Sequence, residues 1–168
     1  MTLDELYLEI GRRINSVVPV DYDDVWLVLI RNSTGHTSSP MWYVKCSDEI
    51  FDGRIFDAFF CNIRLFKREN ASDALNLLAK LLGEKSGKPV YCISYHLSKD
   101  GTFEVKPGYD NKWTGKDDEI PFFDDAAGFF DNWCRTNLGI EPPELNAEVQ
   151  ARAQALIDKK NLERSQGI

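Results

Sequence analysis

No two cysteines in this chain fall at CxxC spacing. Cys46, Cys61, Cys92 and Cys134 lie far apart, and Cys61 and Cys92 sit inside apolar, strand-like runs. This argues against zinc ligation or a redox pair, and for reduced thiols packed as small apolar groups. The two histidines, His36 and His96, have no partner at ligand spacing. No apolar stretch approaches the ~18 residues of a membrane span. The amino terminus, MTLDELYLEI, carries acids where a signal peptide would carry a basic stretch and then an apolar one. A cytoplasmic protein is the expectation. There is no G-x-G-x-x-G, no Walker A, no H-E-x-x-H and no G-x-S-x-G. No cofactor is therefore expected, and no catalytic residue stands out. An active site dispersed through the chain would leave no such trace.

What is present fits one folded domain. The chain has 168 residues, 43% hydrophobic and 12% aromatic, which supplies a sizeable core and argues against extensive disorder. Net charge is −7, against a nucleic-acid-binding surface, which usually carries a basic face. The charge is unevenly placed. Between Asp100 and Asp131 nine acids face three lysines, so a net −6 lies in about a fifth of the chain. Acidity often serves solubility alone, but this concentration points to a basic partner. Acids there interleave with the aromatics Tyr109, Trp113, Phe122 and Phe123, in the manner of aromatic anchors with a charged rim. The candidate partner-binding residues are Asp110, Trp113, Asp117, Asp118, Glu119, Asp124 and Asp125. The same aromatics would also serve to cover a sheet. The pairs Asp23-Asp24, Asp117-Asp118 and Asp124-Asp125 could hold a divalent cation, but solvated loops and helix caps use such pairs more often; Asp124-Asp125 fits a helix start.

Periodicity orders the rest. Thr2 and Glu5 form a capping-box pattern ahead of a stripe at Leu3, Leu6, Tyr7, Ile10, Ile14 and Val17, which predicts a helix from Thr2 to about Val18, ended by Pro19. Val25 to Arg31 is apolar on both faces of any strand, so a central or well covered strand is expected, paired with Met41 to Cys46 across a polar loop. Ser47-Asp48-Glu49 would suit a helix cap, yet the density of Phe and Ile favours a strand over Ile55 to Leu65. Asn70 to Gly87 predicts a helix with a leucine stripe. Lys88 to Asp110 predicts a long hairpin: Val90 to Leu97, a turn ending Asp100-Gly101, then Thr102 to Val105. A helix over Asp124 to Leu138 and a last one from Pro143 to Asn161 follow.

Strands joined by short loops, with helices segregated from them, give an α+β fold: a single antiparallel sheet of about 4–5 strands with amino-terminal, central and carboxy-terminal helices. One domain over 1–162 and a frayed tail over 163–168 are expected. Two stretches resemble the YezG-like immunity proteins, the antitoxins of bacterial polymorphic and contact-dependent toxin systems. One is LDELYLEIGRRINSVVP followed by DDVWLVLIR; the other is SKDGTFEVKPGYD with the closing NWCRTNLGIEPPEL. The segment Ser47 to Arg68 departs from that layout. The resemblance implies an α+β protein without catalytic residues that binds and neutralises a cognate toxin domain inside the producing cell, often a nuclease. A nuclease is basic because it must approach phosphates, so an acidic inhibitor suits the same surface. The alternatives are a small enzyme with a dispersed carboxylate site and an acidic regulatory module that binds proteins.

Overall fold

The structure, a computed structural model, describes residues 1–32, 34–37, 40–57, 71–110 and 123–167, with backbone alone for 57 and 123–125. The fold is α+β with a single antiparallel sheet of five strands. In chain order the elements are α1 (Leu3–Val17), β1 (Asp24–Ile30), β2 (Met41–Cys46), β3 (Glu49–Asp52), α2 (Arg54–Asp57), α3 (Ala71–Ser86), β4 (Cys92–Ser98), β5 (Phe103–Gly108), α4 (Phe123–Asn137) and α5 (Ala147–Ser165). The strands lie in the order β3-β2-β1-β4-β5, so the doubly apolar strand β1 is the central one. Its alternate residues serve both faces. Val25, Leu27 and Leu29 join one core cluster, while Val28 and Ile30 join another.

On the first face the sheet meets α1, α3 and α5. Leu6, Ile10 and Ile14 of α1, Leu75 and Leu78 of α3, and Val149, Ala153 and Ile157 of α5 pack against Leu27, Trp42, Val44, Phe51, Ile93 and Tyr95. On the second face, among the described residues, only α4 covers the sheet, through Ala126, Phe130, Trp133 and Cys134 on Val28, Ile30, Met41 and Tyr43. Local chemistry sets the ends of the helices. The Thr2 hydroxyl accepts from Glu5 N–H (3.2 Å) and the Glu5 carboxylate accepts from Thr2 N–H (2.7 Å), completing the capping box. Those bonds hold the Glu5 carboxyl below its ordinary range.

Three expectations change. The segment from Ser47 does not open with a helix cap: Ser47 takes φ +55° in a tight turn between β2 and the four-residue β3, which is too short to show alternation in the sequence. Nor does the strand expected from Ile55 to Leu65 begin at Ile55. Arg54–Asp57 is a helical turn, because the buried Asp52 carboxylate accepts from Arg54 N–H (2.9 Å) and from its guanidinium (2.7 Å). The rest of that expectation, 58–65, lies outside the described residues. The last helix starts at Ala147 rather than Pro143, since the Asn146 side chain accepts from Val149 N–H (3.0 Å) and caps it there. It runs to Ser165.

The opening of the β4–β5 hairpin is the expected turn. Gly101 adopts φ +88°, and the Asp100 carboxylate accepts from both N–H (2.9 Å) and hydroxyl (2.7 Å) of Thr102. The carbonyls of Thr102 and Gly108 accept from Ser98 and Tyr91 N–H, so even-numbered backbone groups of β5 turn inward. Pro107, an odd position, therefore faces the outer edge, where its missing N–H breaks no ladder bond.

Candidate functional site

The strand register places one row of side chains straight across the second face. Asp52 of β3 opposes Tyr43 of β2, which opposes Trp26 of β1, then His96 of β4, then Glu104 of β5. Three rings thus sit between two acids, drawn from positions as far apart as 26 and 104. Helix α4 covers the Tyr43 end, with the Trp133 ring stacked on Tyr43 at 5.7 Å. Among the described residues the cover ends beyond Trp133. Trp26, Ser94, His96, Glu104, Lys106, Trp133 and Asn137 line a cleft of about 180 Å³ there.

Each wall of this cleft has a defined support. Trp26 and His96 stack with ring centroids 4.8 Å apart. His96 Nε2 lies 2.8 Å from Asp24 Oδ1; an ionised carboxylate only accepts, so Nε2 carries a proton and Nδ1 is turned to the other side of the ring. Ser98 donates its hydroxyl to the same Asp24 oxygen at 3.2 Å. Asn137, in the last turn of α4, donates to the Trp133 carbonyl at 3.0 Å. Lys106 and Glu104 lie 3.3 Å apart, both more than half exposed, so their attraction is weak and screened.

An Asp–His pair can orient an imidazole for proton transfer. Nucleophilic catalysis would further need a hydroxyl against the free ring nitrogen. Among the described residues none is placed there, because Ser98 is engaged with Asp24. The neighbouring acid, Asp23, pairs with Lys99 at 3.2 Å, so Asp23 and Asp24 serve different partners. Among the described residues no group of three metal-ligating side chains forms.

Larger hollows exist. One of about 520 Å³ lies beside Arg31, Asp73, Asn76 and Lys80. Its one buried cation, Arg31, is already engaged: Nε donates to Asn76 Oδ1 (2.7 Å) and Nη1 to the Val90 carbonyl (3.2 Å). Another, of about 370 Å³, lies against Tyr22, Tyr95 and Phe103. Burial there pushes the Tyr95 hydroxyl up to about 12, and it donates to the Tyr7 carbonyl at 2.7 Å, tying β4 to α1.

Of the candidate partner residues read from the sequence, those described do not line this cleft. Asp110 is exposed two positions after β5, and Asp124 and Asp125 occupy the first turn of α4. Trp113, Asp117, Asp118 and Glu119 lie outside the described residues, as does Phe122. Asp24, Trp26, His96 and Glu104 were not singled out as a group. His96 had no partner at ligand spacing, and its actual partner, Asp24, is 72 positions away. The usable signal was an interruption of the apolar pattern: Asp, Trp, Ser and His stand at alternating positions of two strands that the fold makes neighbours.

No helix among the described residues is long and apolar enough to cross a membrane. No protein-family model matches the chain, and no curated protein matches it.

Proposed function

We propose that this chain is an immunity-type binding protein that neutralises a cognate toxin domain, a basic nuclease being the class its charge suits best. The observation that carries the reading is the concentration of net −6 between Asp100 and Asp131, in a chain of net −7. That segment includes the edge strand β5, where Glu104 is exposed, the exposed Asp110 just after it, and the first turns of α4. Acidic density raises the rate of encounter with a basic surface and disfavours acidic competitors. The likeness of the amino-terminal helix and strand, and of the hairpin with its closing helix, to YezG-like immunity proteins supports the same reading.

The test is a titration against the product of the adjacent gene, together with protection of cells that express it. A complex whose association slows as salt rises, and survival of the protected cells, is the expected result. Absence of both a complex and protection overturns the reading. Reversing Asp117, Asp118 and Glu119 to lysine should slow association; unchanged kinetics and salt dependence would move the interface away from that triplet.

A second reading, a small enzyme, is favoured by one observation, the Asp24–His96 pair in a polar cleft. It requires that His96→Gln abolish a turnover while leaving partner binding intact. A regulatory module for another basic protein would instead bind without protecting against any toxin.

A further inference from the structure

We propose that the cleft between α4 and the β4–β5 hairpin seats one arginine or lysine side chain of the basic partner; this rests on the function proposed above and adds its anchor point. Four observations converge on it. At about 180 Å³ the cleft is smaller than the roughly 300–1,000 Å³ of small-molecule sites. It accommodates one long side chain rather than a cofactor. Its walls include Trp26 and Trp133, the ring type that attracts a cation most strongly. Glu104 stands at the rim and Asp24 behind His96, two acids against one lysine, Lys106. Finally, Trp133 and Asn137 belong to the last turns of α4, where the carbonyl ends of the helix dipole favour a positive group.

Lys106 is the built-in competitor. It holds Glu104 across 3.3 Å from an exposed position, a contact weak enough for an incoming guanidinium to replace. A guanidinium is favoured over an ammonium, because its plane stacks on indole while its fork meets a carboxylate. Loss of Lys106 should therefore tighten partner binding, where loss of an ordinary interface cation paired within its own chain would not.

The experiment titrates the full chain with an oligoarginine peptide at low salt, following backbone and indole N–H resonances, with an uncharged glycine-serine peptide as control. The expected result is a saturable shift of the Trp26 and Trp133 indole signals. Glu104→Gln should weaken binding about threefold and Lys106→Ala strengthen it about twofold. Glu84→Gln, an exposed acid on α3, should change it little. Glu104 and Lys106 are exposed, so these variants keep the fold and the test does not hang on a Trp26 substitution. Shifts confined to Asp110 and the first turns of α4 would overturn the cleft as anchor while leaving the acidic-interface reading standing. Equal response to the uncharged peptide, or equal effects of Glu104→Gln and Glu84→Gln, would also overturn it. No binding of either peptide would overturn the cleft and weigh against a basic partner altogether.

Discussion

The two faces of the sheet are built to different standards. The first is closed by α1, α3 and α5, and the strand residues it presents to them are mostly apolar, from Val25 and Leu27 to Ile93 and Leu97, with the Tyr95 hydroxyl bonded to backbone and Glu49 at the sheet edge paired with Arg152 of α5. The second has one helix among the described residues for the same width of sheet. Along β4 its residues change from Cys92 through Ser94 to His96 and Ser98, and along β1 from Ile30 through Val28 to Trp26 and Asp24. The apolar ends lie under α4; the polar ends lie beyond it. One pair of strands is thus buried on both sides at one end and on one side at the other, and the cleft forms at the transition. Stability is concentrated on the first face, leaving the uncovered end of the second free to carry binding chemistry.

If the second face is dry only beneath α4, its thiols should behave like those of the first. Burial pushes Cys46 on the first face to about 12, and Cys92 and Cys134 on the second to about 12 and about 11. Because only the thiolate reacts, these thiols should be alkylated at neutral pH on the order of a hundredfold or more slowly than an exposed cysteine. Raising the pH should speed the reaction without a plateau until the thiols themselves titrate. Mass mapping after timed alkylation checks this, separating Cys61, which lies outside the described residues. Rapid labelling of Cys92 or Cys134 alone would show that α4 lifts away and that the faces differ more than the packing implies.

Substitution of glycines grades the same comparison. At Gly53 an added methyl group would lie 2.1 Å from the indole of Trp42, which is fully buried on the first face, and the Gly53 N–H is bonded to the Trp42 carbonyl at 2.7 Å. Neither backbone nor ring has room to yield, so Gly53→Ala should cost about 3 kcal/mol or more in urea unfolding. Gly11, inside α1, would meet the Tyr95 hydroxyl at 2.8 Å. Here helix propensity gains up to about 1 kcal/mol while the Tyr95–Tyr7 bond is disturbed, and a net loss of about 1 kcal/mol is expected. A stabilised Gly11→Ala protein would mean that α1 slides easily over the sheet.

These effects also mark what the sequence made legible. Long periodic stretches read correctly because one physical demand dominated each. The α1 stripe had to face a core, and β1, apolar at every position from Val25 to Ile30, had to be central. The segment after Ser47 failed because its determinants are not periodic. They are a positive φ at Ser47, a four-residue strand, a carboxylate that caps a single turn, and a glycine pressed against a ring from the neighbouring strand. The acidic segment was visible as composition; Asp110 lies two positions after β5, and Asp124 and Asp125 lie in the first turn of α4, which begins one residue before the expected Asp124. The cleft was not visible, since it exists only once the register aligns Trp26 with His96 and His96 with Glu104.

The smallest effect sharpens the comparison most. Gly128 lies inside α4, and a methyl group there would meet no atom within 4 Å. In a helix interior, replacement by alanine lowers the entropy of the unfolded chain without adding a contact. Gly128→Ala should therefore stabilise the protein by about 0.5–1 kcal/mol in thermal or urea unfolding, opposite in sign to Gly53→Ala. If α4 unfolds together with the first face, the full gain appears in global stability. If α4 opens separately, hydrogen exchange will show the gain in the amides of α4 while those of β1 keep their protection. The second outcome would make the wall formed by Trp133 and Asn137 a movable one, so that closing α4 over a bound cation becomes part of recognition rather than a fixed property of the fold.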